Sequence, residues 1–142
     1  MSNIEENKRL IEEYPFLLPR SRWTGEVSKD YDYSYTELDN MPKGWRKAFG
    51  EELCERLKDI LVKSNSLNDY RITDIKEKFG FLHWYWHGTY DEEIDKVITE
   101  YENKSKKTCI KCGEPASMRN IGGWLSPYCD KCVDELGKGW CE

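Results

Sequence analysis

The amino-acid sequence predicts an α+β fold, in which two helices pack on a small antiparallel β-sheet and a cysteine-rich module follows at the C-terminal end. Three observations predict it. Apolar residues recur at three-to-four spacing in two stretches, Trp45 to Leu61 and Ile94 to Tyr101. Between them lie two runs of high β-propensity. The last 34 residues hold two matching Cys-x2-Cys pairs.

Residues 4–13 carry Ile4, Leu10 and Ile11 among charges and predict a short helix that Pro15 ends. Residues 14–22 contain two prolines and four apolar side chains. They predict an extended segment laid over the core, because a residue before proline avoids helix. Residues 23–40 are polar and tyrosine-rich, with short strands expected. A long helix should follow, capped by Asp39 or Asn40 with Pro42 in its first turn. Its apolar face is Trp45, Ala48, Phe49, Leu53, Leu57, Ile60 and Leu61. Residues 70–75 and 81–86 predict strands, paired antiparallel through a turn at Gly80. A second helix should run from Asp91 to about Lys107, with Ile94, Val97, Ile98 and Tyr101 inward.

Six Trp, nine Tyr and four Phe supply enough large apolar surface for a core although 35% of residues are charged. Net charge is −5, and the most basic stretch, residues 43–64, has an excess of only two positive charges. A duplex-DNA binder needs a far more basic surface, so direct nucleic-acid binding is not expected. No apolar run approaches the length of a membrane span. The first residues have neither the basic start nor the apolar segment of a secretory signal. A cytoplasmic protein is expected, and in that compartment six cysteines point to metal or free thiols before disulfides.

The strongest chemical signal is Cys109-x2-Cys112, sixteen residues, then Cys129-x2-Cys132. Two thiolates three residues apart fold back onto one ion, and two such knuckles complete a tetrahedron. The spacing predicts one structural Zn2+ in a zinc ribbon. That divides the chain into a body of residues 1–108 and a ribbon module of residues 109–142 packed on it. Gly113 permits the turn after the first knuckle, and Gly122-Gly123 suits a hairpin between the knuckles. Lys111 and Lys131 can offset the −2 charge of a four-thiolate zinc, or are plain surface lysines. Cys54 reads as a buried small hydrophobe, and Cys141 as a free exposed thiol.

No other constellation has catalytic spacing. His83 and His87 sit in a strand, about 13 Å apart, too far to share an ion. Ser-His-Asp sets, His-Asn-His arrangements and glycine-rich phosphate loops are absent, so no enzyme is expected. Residues 30–39 are unusual: Asp30, Tyr31, Asp32, Tyr33, Tyr35, Glu37 and Asp39 crowd into ten positions without a base. On a strand, acids and tyrosines would take opposite faces. Such an edge suits a basic partner surface; the alternative is packed tyrosines and solvated acids.

The segments Pro15-Phe16-Leu17-Leu18-Pro19-Arg20, Tyr35-Thr36-Glu37-Leu38-Asp39, Gly44-Trp45-Arg46-Lys47-Ala48-Phe49-Gly50, Ile75-Lys76-Glu77-Lys78-Phe79-Gly80 and the knuckle region from Cys109 to Cys129 resemble small phage and prophage proteins of Gram-positive bacteria. The resemblance runs through nearly the whole chain and brings no catalytic residues with it. Phage accessory proteins of this size often disarm host defences, and zinc-binding members occur among type II-A anti-CRISPR proteins, which bind Cas9. The resemblance therefore implies an inhibitor of a host defence protein, Cas9 foremost, acting in the bacterial host cytosol. The alternative is a nucleic-acid-binding phage regulator that uses the zinc ribbon and the strand aromatics.

Overall fold

The computed structural model describes residues 3–21 and 23–140. Cys141 lies outside them. Helix α1 (Asn3–Glu13) buries Asn7 and Leu10. The segment after it is not extended: Pro15–Leu17 form a 3-10 turn with Pro15 at its first position. The fixed φ of proline suits a helical first turn, where its missing N–H costs nothing. Phe16 and Leu17 are buried, so the run covers the core as expected but by a different backbone.

No strand forms over residues 23–40. Short polar side chains bond their own backbone instead: Ser34 N–H donates to Asp32 Oδ1 at 3.1 Å and Asp30 N–H to Ser28 Oγ at 3.3 Å. Such local bonds compete with a ladder. The segment closes in a 3-10 helix, Glu37–Asn40, with a capping box between Thr36 and Asp39. Asp39 and Asn40 thus belong to an earlier turn and do not cap the long helix. That helix begins after Pro42, as an α-turn α2 (Lys43–Trp45), a π-turn (Arg46–Gly50) and a regular helix α3 (Glu51–Lys63).

Strand β1 (Arg71–Lys78) pairs antiparallel with β2 (Phe81–His87). Ile72 and Ile75 are three apart, a spacing that strict alternation would send to opposite faces. The register shifts between Ile72 and Asp74. The extra residue, Thr73, turns both isoleucines into the core, where both are buried. In β2, Leu82 and Trp84 point inward, and Trp84 Nε1 donates to Tyr70 Oη at 2.8 Å.

Helix α4 (Glu92–Ser105) is capped by Asp91, whose carboxylate accepts from Glu93 N–H. It ends two residues before Lys107. Ser105 Oγ there accepts Leu82 N–H at 2.8 Å, fastening the helix end to β2. The layering differs from two helices side by side on a sheet. Helix α4 packs on β2, α3 packs chiefly on α4, and the two 3-10 segments pack on β1. A second two-stranded sheet, β3 (Ser117–Ile121) with β4 (Trp124–Tyr128), turns at Gly122-Gly123 as anticipated. A further helix, α5 (Asp130–Trp140), follows it and was not expected. Among the described residues no helix is long and apolar enough to cross a membrane.

Leu57 is fully buried in α3 within the shared core. Leu57→Ala should destabilise the protein by about 2–5 kcal/mol, the cost of lost transfer energy plus a cavity. Urea unfolding followed by tryptophan fluorescence measures it; a change under about 1 kcal/mol would show that α3 is not an integral part of the core.

Candidate metal centre

Cys109 and Cys112 flank a tight turn closed by Gly113 N–H donating to Cys109 O at 3.0 Å. Gly113 has φ +87°, and a Cβ there would lie 2.7 Å from Gly44 O. Only glycine meets both demands. Cys129 follows β4 and Cys132 sits in the first turn of α5, with Val133 N–H donating to Cys129 O at 3.0 Å. A residue just before a helix and one in its first turn present side chains on the same side. The two knuckles are joined directly, because Ile110 N–H donates to Pro127 O at 2.9 Å.

The four Sγ atoms all lie within 4.8 Å of one another, and Cys112 and Cys129 are 3.5 Å apart. A disulfide needs about 2.05 Å. Thiolates bound at about 2.3 Å on a tetrahedron stand about 3.8 Å apart. The arrangement therefore fits one central metal ion and not a cross-link. Cys109 and Cys132 are buried; Cys112 and Cys129 are half-buried.

The thiols are not equivalent. Burial would raise Cys109, but N–H groups of Cys129, Cys112 and Lys111 outweigh it and bring the thiol down to about 6. Burial, and then the neighbouring Cys129, Cys112 and Cys109 thiols, push Cys132 up. At Cys112 the Glu114 N–H lowers the thiol, yet burial and the Cys129 and Cys109 sulfurs leave it raised. One thiolate forms readily while Cys112 and Cys132 resist, so gathering four thiolates here calls for a cation.

Body residues seat this centre. Gly44 N–H donates to Ile110 O at 2.9 Å, and Trp45 Nε1–H donates to Thr108 O at 2.9 Å. A Cβ on Gly44 would stand 2.2 Å from Cys109 O and 2.6 Å from Ile110 C. Gly44 and Trp45 were legible as helix residues, but nothing local marks them as the seat of a knuckle 65 positions away. Lys111 and Lys131 both line the cleft beside the sulfurs, joined by Lys47 from the π-turn. Lys111 is paired with Glu135 at 3.3 Å, so much of its charge is met there.

The acidic tyrosine segment stands elsewhere and is no strand. Tyr31 packs on Tyr33 at 5.0 Å and edge-on to Tyr35 at 5.4 Å. The rings cluster on one another, and Tyr33 takes φ +64°. Asp39 accepts from Thr36 N–H at 2.7 Å and pairs with Arg46, and Glu37 accepts from Asn40 at 3.1 Å. These two acids hold the local fold, whereas Asp30, Asp32 and the Tyr35 ring are exposed. His83 and His87 join no group able to hold a metal among the described residues. Cys54 is buried in the core, and burial pushes its thiol up, as expected of an inert hydrophobe.

A patch that sequence reasoning missed joins the two sheets. The β1–β2 turn places Phe79 at φ +57° and Gly80 at φ +86°. A two-residue hairpin of this kind demands positive φ twice, which the β3–β4 turn meets with Gly122 and Gly123. Phe79 is bulky, strained and 73% exposed. A Cβ on Gly80 would stand 2.8 Å from Met118 Sδ and 2.9 Å from Leu125 O, so the turn docks on the second sheet. Phe79, Met118 and Leu125 form an exposed apolar surface there. The signal was present as a Phe-Gly pair where Asn-Gly is usual.

Comparison of the chain with protein-family models, with curated proteins and with solved structures finds no match.

Two outcomes test the centre. Gly44→Ala should lower metal retention against a chelator and the melting temperature together, since the Cys109–Ile110 backbone must move; unchanged retention would separate the seat from the centre. Metal loading near pH 7 should release the protons of Cys112 and Cys132, whose thiols lie above their usual range, while Cys109 is already largely ionised. Affinity should then rise with pH and fall as acid returns protons to sulfur. Calorimetry in buffers of different ionisation enthalpy reads this, and buffer-independent heats would contradict it.

Proposed function

We propose that the chain is a zinc-stabilised phage protein that binds and inhibits a host defence protein, with Cas9 as its target. Zinc is the ion that four converging thiolates suit: it takes tetrahedral sulfur sites, and four protein ligands leave no position for a substrate. The ion then serves structure and not catalysis. A C-terminal segment of this size cannot bury enough apolar surface to hold itself without a metal.

The observation that carries the binding reading is the surface at Phe79, Met118 and Leu125. A bulky side chain in left-handed backbone costs about 1–2 kcal/mol, and Phe79 recovers none of it by burial. Strain kept at an exposed aromatic beside other exposed apolar groups supports a contact surface. Exposed Asp30, Asp32 and Tyr35 supply a second, acidic surface suited to a basic partner such as a nucleic-acid-binding effector. The choice of Cas9 as target rests on the resemblance of the quoted segments to small phage proteins.

A second reading, a nucleic-acid-binding regulator, draws on the outer face of β2. Phe81, His83 and Tyr85 stand in a row, with ring centroids 4.3 and 6.2 Å apart. Lys106 lies over Phe81 at 4.6 Å and Lys76 over Tyr85 at 5.5 Å. Rings among cations are what single strands stack on.

Immobilised zinc-loaded protein should capture purified Cas9. Asp30→Lys with Asp32→Lys should weaken capture by about tenfold or more. Phe79→Gly should weaken it too, while raising stability by about 1 kcal/mol through relief of strain. Failure to capture Cas9 at micromolar protein would overturn the target. A salt-sensitive gel shift with a short single strand, lost on Tyr85→Ala, would put the second reading in its place.

A further inference from the structure

At the end of the β1–β2 sheet opposite the Phe79–Gly80 turn lies a cleft of about 360 Å³, lined by Arg20, Arg71 and His87 with Gly25, Pro15 and Leu67 among its walls. Arg71 opens β1, His87 closes β2, and the two are direct cross-strand partners. Two basic side chains facing across a ladder gain nothing from each other. The Nε of Arg71 is buried without a hydrogen-bond acceptor. Leaving a charged donor so is costly, and a guanidinium with an unsatisfied nitrogen at the wall of a cleft favours an anion or a water beside it.

The surroundings hold this guanidinium in place. The loop at Gly25 passes so close that a Cβ there would lie 1.9 Å from Arg71 Nη1. Gly25 O accepts from Arg20 Nη1 at 3.0 Å, so one glycine positions both arginines. The carboxylate in the lining, Asp69, is held by Thr89 and lies within electrostatic reach of His87. Its Oδ2 accepts Thr89 N–H at 3.0 Å and Thr89 Oγ1–H at 2.6 Å. Asp69 keeps its charge, so two guanidiniums face one carboxylate in the lining, and Gly25 lies against both arginines.

We propose that this cleft binds a phosphate group, either free phosphate or the monoester of a small molecule, through Arg20 and Arg71 with His87 at the rim. A planar guanidinium fork matches phosphate oxygens in geometry as well as charge. The volume accommodates a phosphate and a small attached body against Pro15 and Leu67. The site is independent of the metal centre and of the target named above.

The test is a titration of the metal-loaded full chain with inorganic phosphate, and separately with glycerol 3-phosphate. The readout is the arginine Nε–Hε and Gly25 amide signals in 1H–15N spectra. Both probes should give saturable shifts at Arg71 and Gly25. Arg71→Gln should weaken binding by about tenfold or more. Arg20→Gln, on the exposed loop, provides the same reading if the first variant is unstable. Tighter binding of the monoester assigns the site to a phosphorylated small molecule, and equal affinity assigns it to free phosphate. Shifts that are absent, that rise linearly without saturation, or that persist in both variants would leave water as the acceptor for Arg71 and overturn the proposal.

Discussion

Trp45 ties the two parts of this molecule together. Its ring is fully buried in the core, and its indole N–H reaches the carbonyl of Thr108, one residue before the first knuckle cysteine. The neighbouring Gly44 lets helix α2 approach the Cys109–Ile110 backbone more closely than any side chain would permit. A helix can meet a loop in this way only if both are stiff. The core makes the helix stiff, and a metal held by four sulfurs would do the same for the knuckle. Burial and coordination are therefore coupled through one indole and one glycine.

Electrostatics gives that coupling its direction. Four thiols within 4.8 Å cannot all ionise in the absence of a cation. The N–H groups around Cys109 favour the first thiolate and the sulfurs oppose those that follow. Such an arrangement suits a cation, and Lys47, Lys111 and Lys131 line the cleft beside the sulfurs. Lys47 belongs to the π-turn, so the irregular part of the long helix also contributes to the field at the sulfurs. This is consistent with π-turns occurring where a helix meets a functional region.

Two hairpins share one turn geometry and meet it with different residues. Gly122-Gly123 meets the demand for positive φ at no steric cost, whereas Phe79-Gly80 meets it with a strained aromatic. The second hairpin docks on the first sheet's turn through Gly80, where Met118 and Leu125 leave no room for a side chain. A metal held by the four cysteines would thus steady the platform beneath Phe79. The acidic segment is organised by different means: its tyrosines pack on each other, and Asp39 is spent on a cap and on Arg46. Of the exposed acids in that segment, Asp39 is paired with Arg46, whereas no ion pair involves Asp30 or Asp32 among the described residues.

The sequence by itself determined the local features, because these depend on spacing and on single-residue conformational preference. The periodicities of α3 and α4, the Asp91 cap, the two strands and the Gly122-Gly123 turn follow from residues a few positions apart, and the convergence of Cys109, Cys112, Cys129 and Cys132 from two matched pairs joined by that hairpin. Misreadings arose where local rules compete. Proline admits a 3-10 turn as well as an extended chain, and short polar side chains over residues 28–39 bond the backbone that a strand would need. The layering of α3 on α4, the extra residue at Thr73 and helix α5 after the second knuckle depended on packing partners. Only the tertiary structure decided the pairs distant in sequence: Gly44 against Cys109, Gly80 against Met118, Gly25 against Arg71. Each is a close approach of backbone to a distant group, and a glycine's reason for being glycine lies in the neighbour that chain folding brings to it.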